Sequence, residues 1–426
     1  MKKLCKIVLV LFVMMAGSSF AALAEEEADS TPSRVLNVVY DDSGSMLING
    51  DTWVDTWCQA KYAMEVFAAL LEEKDTLNIF PMSTNSSSGR NPDMITVSGK
   101  DPVSQRVSRI HDMQTEQALG TPYNAVSQAV EHLKRQNADQ KWLIVLTDGQ
   151  FDEDGTKPAD LNRTFRGYTA DGMKIVFLTI GQNTDRVDTD PEHGIFAENA
   201  ASSAEVIDRV TTISNQIFER NALSGIDAQN GTFSFDVPMS QLIVFAQGDA
   251  VQINGISGGS ALRKESEVNV QYSDLIPKNY EDEREHIVVA KDLKGTVTVF
   301  APKDGEEIEP GDYQLDVQGA QRVEIYYKPN VDVGIRIFQG TQDVTDHDAL
   351  EAGTYTIRVG FLDDESGEFI ESPLLGEIDA DATITNNGKE VEVSNDNEFT
   401  VDIGEADIAV EATYLKYNRT SISQKY

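Results

Sequence analysis

Three oxygen-bearing side chains stand at alternate positions directly after an apolar run. The run covers residues 35–40, and Asp41, Ser43 and Ser45 follow it. A run of this kind is typical of a buried strand, and it ends here on a carboxylate and two hydroxyls. In an open α/β sheet, ligands bind beyond the carboxyl ends of the central strands. We therefore expect Asp41, Ser43 and Ser45 to lie at a ligand-binding edge.

Two later segments supply further oxygen atoms for the same edge. Asp148 follows the apolar run 143–146, and Thr121 precedes Pro122 at the start of a predicted helix. If that helix begins at the carboxyl edge of the sheet, five side chains converge from three distant segments. They are Asp41, Ser43, Ser45, Thr121 and Asp148.

This set of ligand atoms favours a hard divalent cation over zinc. Carboxylate and hydroxyl oxygens suit Mg²⁺, Mn²⁺ or Ca²⁺, and Mg²⁺ is the expected ion. Two carboxylates balance the charge of a dication, whereas three hydroxyls add ligands without adding charge. Such a cation stays electrophilic, and an open coordination position would accept a carboxylate from a partner protein.

Each of these residues also has an ordinary structural interpretation. Ser43 and Ser45 can cap a turn, and Thr121 before a proline is a good helix N-cap. Asp148 followed by glycine is a common end for a strand. These readings account for the residues separately, whereas the metal site accounts for all of them together.

The stretch Asp41-Asp42-Ser43-Gly44-Ser45, followed by Thr121 and Asp148, resembles the metal-ion-dependent adhesion site of von Willebrand factor type A domains. The resemblance covers about residues 33–220. It implies that Asp41, Ser43 and Ser45 are the first three ligands of a divalent ion and that Thr121 and Asp148 are the other two. It also implies that the ion binds an acidic side chain of another protein.

Asp42 introduces an ambiguity, because it could compete with Asp41 for the metal. The spacing to Ser43 and Ser45 favours Asp41. We expect the Asp42 side chain to point to solvent or to donors around the site.

Strand and helix patterns alternate between residues 33 and 220, which predicts a doubly wound, mostly parallel α/β sheet. The predicted helices lie near 55–73, 102–112, 122–137, 158–170 and 196–220. After residue 222, short strands separated by turn residues replace the helices. We expect two all-β sandwich domains of the immunoglobulin-like type, at 222–328 and 330–418.

Two local patterns occur in this second half. Asn387-Gly388 predicts a hairpin. The sequences 309–317 and 351–359 echo each other, each as a turn that feeds a strand whose tyrosine, Tyr313 or Tyr355, can anchor the corner.

The N-terminus predicts export. Three lysines precede an apolar run, and residues 22–24 fit a small-x-small cleavage site, so residues 1–24 read as a signal peptide. Its removal would change the net charge from -36 to -39, because it removes three lysines and no acidic residue. A surface this acidic excludes nucleic acid as a natural partner. Cys58 would be the one cysteine left, and its apolar surroundings predict a small buried side chain.

Two weaker patterns favour ordinary structure. The segment 255–259 has the spacing of a hydrolase nucleophile elbow but lacks the helix that should follow it. Asp185, Asp188 and Asp190 lack the glycine and the terminal glutamate of a calcium loop and read as a solvated acidic loop.

The sequence therefore predicts a non-enzymatic, exported bacterial protein at the cell surface or in the medium. It would bind a protein ligand through a divalent metal, and so act in adhesion. The alternative is an envelope scaffold or assembly factor that uses the metal-binding domain to organise a complex. The chain shows no sorting motif or membrane span at its end, which suggests either release or a fragment of a longer protein.

Overall fold

The computed structural model describes residues 32–49, 51–82, 94–113, 120–149, 151, 157–181, 187–218, 220–223, 231–248, 251–269, 295–303, 307–363, 367–414 and 418–426. The predicted signal peptide and Asp185 of the acidic loop lie outside these ranges. Within them, no helix is both long and apolar enough to cross a membrane.

A six-stranded sheet forms the first part of the chain. The strands of this part are β1 (Arg34–Tyr40), β2 (Ile48–Asn49), β3 (Thr52–Trp53), β4 (Thr76–Pro81), β5 (Ile95–Ser98), β6 (Gln140–Thr147), β7 (Met173–Ile180) and β8 (Ile195–Ala200). The sheet order is β5-β4-β1-β6-β7-β8, and only the β4–β5 pair is antiparallel. The two remaining strands, β2 and β3, form a small hairpin. The predicted mostly parallel α/β sheet is confirmed.

Helices cover both faces of this sheet. They are α1 (Thr56–Leu70), α2 (Val103–His111), α3 (Asn124–Lys134), α4 (Leu161–Ala170) and α5 (Ser203–Phe218). Leu36 and Val38 of β1 pack in one core with α1 and α5, whereas Val35 and Val39 pack in another with α3 and α4. The central strands are continuously apolar because both of their faces are buried. Cys58 of α1 is buried with a free thiol, as predicted.

The single helix predicted over 196–220 is wrong in its first seven residues, about two turns. Residues Ile195–Ala200 form the edge strand β8, and the helix begins only at Ser203. The segment Ala197-Glu198-Asn199-Ala200 has helix-forming character, but pairing with β7 overrides this local preference.

The second part of the chain is all β. Its strands are β9 (Asn221–Ala222), β10 (Thr232–Phe235), β11 (Met239–Gln247), β12 (Gln252–Gly258), β13 (Leu262–Asn269), β14 (Gly295–Pro302), β15 (Gly311–Gln318) and β16 (Arg322–Pro329). They form a five-stranded sheet, β13-β14-β11-β16-β9, and a three-stranded sheet, β10-β15-β12. The segment 255–259 lies largely within β12, so the elbow pattern is not followed by a helix.

The five-stranded sheet has two buried faces. On β11, Leu242 and Val244 belong to the core of the β half, whereas Ile243 and Phe245 belong to the core that contains α1. As a result every residue of α1 after Thr56 is buried. The helix packs against α2 and α5, and the sheet of the following part covers it as well.

The third part adds two more antiparallel sheets. Its strands are β17 (Asp332–Gln339), β18 (Gln342–Asp343), β19 (Gly353–Leu362), β20 (Phe369–Ile370), β21 (Asp379–Asn386), β22 (Lys389–Val391), β23 (Glu398–Val401), β24 (Ala406–Tyr414) and β25 (Asn418–Lys425). One sheet has the order β18-β17-β19-β20, with β23 also paired to β19, and the other has the order β22-β21-β24-β25. Several antiparallel sheets thus follow the α/β part, as predicted.

The two local patterns of the β half are confirmed. Asn387 and Gly388 have φ angles of 52° and 72° and join β21 to β22, which is the backbone that a tight hairpin requires. The hydroxyl of Tyr313 donates a hydrogen bond of 2.6 Å to the carbonyl of Glu309, and that of Tyr355 donates one of 2.8 Å to the carbonyl of Glu351. Both tyrosines anchor their turns in the same way.

Candidate functional site

Asp41 lies at the carboxyl edge of the sheet, directly after β1. Its backbone N–H donates a hydrogen bond of 3.0 Å to the carbonyl of Leu146 in β6, so the two strands stay in register to their ends. Its side chain is fully buried, and its Oδ1 accepts the backbone N–H of Ser43 at 3.0 Å. The carboxylate of Asp41 is therefore held in a fixed orientation at the start of the loop.

The two serines bridge the loop after β1 to the end of β6. Ser43 Oγ and Ser45 Oγ are 2.9 Å apart and share a hydrogen bond. Ser45 Oγ in turn donates to Asp148 Oδ1 at 3.1 Å, although these residues are 103 positions apart in the chain. A short 3-10 helix, Gly44–Met46, turns the loop and keeps both serines at the edge. Four of the five predicted residues are thus joined in one cluster.

The two carboxylates of the cluster are poorly solvated. Burial raises the pKa of Asp41, although hydrogen bonds from Thr147 and Ser43 act against this. Burial and the negative charge of Asp41 raise the pKa of Asp148 to about 6. Two carboxylates that repel each other, one buried and one half-buried, with hydroxyl oxygens beside them, are a donor set that fits a divalent cation.

Thr121 lies just before α3, and the direction of this helix bears on how far Thr121 is from the same edge. The Asn37 side chain of β1 donates a hydrogen bond of 2.8 Å to the carbonyl of Ala129 in α3. From this contact β1 runs about 13 Å to Asp41, while α3, which runs antiparallel to β1, extends back about 9 Å to Tyr123. Thr121 comes two residues earlier and is buried. That Thr121 lies at the edge that carries the other four residues stays a prediction.

Asp42 does not point to solvent. Its exposed fraction is 0%, so the first of the two expected orientations is wrong and the second, towards donors around the site, remains. Burial is the main cause that raises the pKa of the Tyr40 hydroxyl, and the negative charge of Asp42 is the next. The loop after β1 therefore buries two carboxylates, Asp41 and Asp42.

Thr147 is a site residue that the sequence reasoning did not identify. It is the last residue of β6, it is buried, and its hydroxyl donates a hydrogen bond of 2.6 Å to Asp41 Oδ2. Thr147 Oγ1 also accepts a hydrogen bond of 3.2 Å from the backbone N–H of Gly149. The sequence signal for Thr147 is a hydroxyl residue directly before the aspartate at the end of a strand.

The acidic loop that contains Asp188 and Asp190 makes ordinary surface contacts. Asp190 pairs with Arg166 at 3.0 Å and with His193 at 2.8 Å, and Asp188 accepts a hydrogen bond from Asn162. These contacts favour the interpretation of this segment as an ordinary loop. Across the described ranges, no group of three or more His, Cys, Asp or Glu side chains is arranged to hold a metal ion. The candidate site differs from such groups because three of its five side chains are those of serine or threonine.

No family model and no curated protein matches this chain. Among solved structures, it is similar to a von Willebrand factor type A protein from Catenulispora acidiphila, with 11% identity, a TM-score of 0.33, and coverage of 92% of this chain and 66% of that one. It is also similar to the pilus adhesin SpaC from Lactobacillus rhamnosus GG, with 12% identity, a TM-score of 0.33, and coverage of 93% and 53%. A third similar structure is proximal thread matrix protein 1 from the mussel byssus, described with a zinc-occupied MIDAS motif, with 14% identity, a TM-score of 0.30, and coverage of 46% and 50%. The chain thus spans about half to two thirds of the length of these proteins.

Proposed function

We propose that this chain is an exported binding protein that grips a protein ligand through a divalent cation. Asp41, Ser43, Ser45, Thr121 and Asp148 would hold the cation, with Mg²⁺ as the expected ion and Mn²⁺ or Ca²⁺ as alternatives. An acidic side chain of the ligand would complete the coordination of the metal. The proposal assigns the chain no catalytic step.

The observation that carries the proposal is the hydrogen bond between Ser45 Oγ and Asp148 Oδ1. It joins segments 103 positions apart, at the carboxyl ends of two adjacent central strands. Capping alone would explain a serine that bonds to its own turn. It does not explain why the serine bonds to a half-buried carboxylate, Asp148, beside the buried carboxylate of Asp41, at the edge where open α/β sheets bind ligands.

The composition of the site decides what kind of ligand suits it. A bound dication would supply an electrophilic centre whose charge the two carboxylates balance. The serine and threonine hydroxyls contribute ligand atoms without further negative charge, so they do not oppose the approach of an acidic group. An anionic side chain is therefore the ligand for which this arrangement is best suited.

Calorimetric titration of the full chain with Mn²⁺ and Mg²⁺ tests the metal site directly. We expect one ion per chain for the wild type and no specific binding for Asp41→Ala. The matched control is Asp348→Ala, which removes an exposed acidic side chain from the third part of the chain and should bind as the wild type does. Equal binding by wild type and Asp41→Ala would show that the site does not lie here.

A further inference from the structure

A groove with a volume of about 890 Å³ runs along one edge of β19 in the third part of the chain. Val359 and Gly360 of β19 line it, together with Phe369, Glu371, Glu377 and Asn397 from neighbouring segments. None of these residues belongs to the candidate metal site, which lies at the edge of the six-stranded sheet. The metal site therefore does not explain the groove.

The groove exists because the edge of β19 is covered only at its two ends. On one side, β17 pairs with β19 from Thr356 to Leu362. On the other side, β23 pairs with residues 353–356 and β20 with residues 361–362. Ile357 donates its N–H to the carbonyl of Asn397 at 2.9 Å, and Asn397 ends this stretch. Among the described strands, none pairs with residues 358–360 on this edge.

The backbone groups of Val359 point into this gap. In an antiparallel strand, residues two apart direct their N–H and C=O to the same edge. Ile357 bonds to Asn397 and Asp363 bonds to Glu368, both on the groove side, so Val359 between them faces that side too. Neither of its groove-facing backbone groups has a hydrogen-bond partner in the part of the chain that the structure describes.

The pairing with β17 supports this orientation. Ile337 of β17 donates its N–H to Thr345 Oγ1, on the side away from β19. Ile335 stands two residues earlier and faces the same way, and it is the residue directly opposite Val359. This pair is therefore a non-hydrogen-bonded one, and β17 cannot satisfy the N–H and C=O of Val359.

Specific contacts keep the segments after β20 and before β23 away from the open edge of β19. After β20, Ser372 Oγ donates a hydrogen bond of 2.6 Å to Asp236 Oδ1 in the second part of the chain. Tyr327 of that part donates its hydroxyl to the carbonyl of Leu374 at 2.8 Å. At the other end, Asn397 turns the chain with a φ angle of 58°. These contacts hold the edge open, because they stop either neighbour from extending along it.

We propose that this groove binds a short extended peptide segment of a partner protein, which carries a lysine or arginine and pairs through its backbone with Val359. An unpaired N–H and C=O on one strand residue are the groups that β-strand addition uses. Among the described residues that line the groove, Glu371 and Glu377 are exposed and Arg358 is the one cation. Arg336 lies over the Phe369 ring at 5.7 Å, but it is paired with Asp343. The Arg358 guanidinium is stacked over the Phe338 ring at 4.7 Å. The net negative charge of the lining, within a chain of net charge -36, selects a basic segment.

A display library of random nonapeptides, selected on the full chain, provides the probe. We expect the selected peptides to be enriched in lysine and arginine and to bind Val359→Pro at least tenfold more weakly than the wild type. Proline removes the N–H of Val359, and a strand tolerates proline where that N–H is unpaired. Val359→Ile keeps the N–H and is the matched control, with unchanged binding.

Two further measurements separate the proposal from a loss of fold or a nonspecific charge effect. A selected peptide that is N-methylated at its pairing residue should lose binding to the wild type, which does not depend on the stability of any variant. Glu371→Lys with Glu377→Lys should weaken the basic peptides by a similar factor. Selected peptides that bind Val359→Pro as well as the wild type, no enrichment of basic residues, or no selected peptide at all would overturn the proposal.

Discussion

The hydroxyl of Thr147 donates a hydrogen bond of 2.6 Å to Asp41 Oδ2 across 106 positions of sequence. The contact joins the end of β6 to the residue that follows β1. Because Ser43 N–H bonds to the other oxygen, both oxygens of the Asp41 carboxylate have a donor. Thr147 is thus a positioning residue for the candidate metal site.

Thr147→Val should weaken Mn²⁺ binding by about tenfold, because residues that orient metal ligands typically contribute at least that factor. The substitution keeps the shape of the side chain but removes the donor to Asp41. Thr147→Ser keeps the hydroxyl and should restore most of the affinity. Calorimetric titration of both variants gives the comparison. If valine and serine weaken binding equally, the role of Thr147 is packing alone.

Asp148→Asn should stabilise the metal-free chain while it removes the stabilisation that metal provides. Burial and the Asp41 charge raise the pKa of Asp148 to about 6, so its charged form is unfavourable at neutral pH. The amide removes this repulsion, and we expect a gain of roughly 1 kcal/mol in the free energy of unfolding, reduced by the partial exposure of the group. Thermal melts with and without 5–10 mM Mg²⁺, roughly a saturating excess for a site of ordinary affinity, measure both effects. Asp348→Asn is the exposed control. A destabilised metal-free variant would contradict the expectation.

A buried ion cluster joins the first two parts of the chain. Glu72, just after α1, contacts Arg34 at 3.5 Å, Arg220 at 3.4 Å and Lys328 of β16 at 3.0 Å. Burial alone would raise the pKa of Glu72, but Lys328, Arg34 and Arg220 outweigh it and hold the pKa at about 2. The cluster therefore needs its carboxylate in the charged form.

Glu72→Gln should lower the free energy of unfolding at pH 7 by roughly 3 kcal/mol, because it removes the counter-charge that Glu72 gives to Arg220 and Lys328. Arg34 keeps Asp75 as a partner at 3.4 Å. The folded pKa lies below the ordinary value of 4.5, so this contribution is complete above pH 4.5. It is lost as the pH falls towards 2. Urea unfolding of wild type and variant across this range should therefore give curves that converge at low pH. Glu73→Gln, one residue further and exposed, should show no such difference.

The packing of α1 bears on the predicted domain boundary near residue 222. Ile243 and Phe245 lie in the same core as α1, so a fragment that ends near residue 222 exposes apolar surface that the longer chain buries. We expect a fragment 33–329 to melt at a higher temperature than a fragment 33–222 and to bind less of a hydrophobic dye. We also expect limited proteolysis to cut near 329 before it cuts near 222. Equal melting temperatures would show that the α/β part is independent.

The sequence was most informative where the pattern is local. The continuous apolar runs of β1, β6 and β7 predicted buried parallel strands, and Asn387-Gly388 predicted its turn, because burial on two faces and a positive φ each select particular residue types. The positions of Asp41, Ser43, Ser45 and Asp148 after two apolar strand patterns predicted that these residues meet, and the structure joins them by hydrogen bonds.

Long-range partners were not predictable in this way. Residues 195–200 form a strand because β7 is beside them, and their own composition favours a helix. The sheet that packs on α1 beside the two helices belongs to strands more than 170 positions later, and no local pattern in the helix indicates this contact. Thr147 was missed for a related reason, since its role depends on Asp41, its hydrogen-bond partner on another strand.

The last prediction concerns the charge of the chain and the acidic ligand proposed for the metal site. A net charge of -36 should repel such a ligand at a distance, whereas contact with the metal is local. The Debye length is about 8 Å at physiological ionic strength, so added salt screens the distant charges and leaves the direct contact intact.

Raising NaCl from about 50 to 150 mM should therefore speed association by a few-fold, the opposite of the usual effect for partners of opposite charge. EDTA or Thr121→Ala should abolish binding at every salt concentration. Surface plasmon resonance can measure this, with a ligand recovered by pull-down in the presence of Mg²⁺ and eluted at low pH, so that the recovery does not select for sensitivity to EDTA. If binding instead persists in EDTA and weakens as salt rises, the partner is basic and docks on the acidic surface. The metal-centred mechanism would then be wrong even though the sheet and its edge are as described.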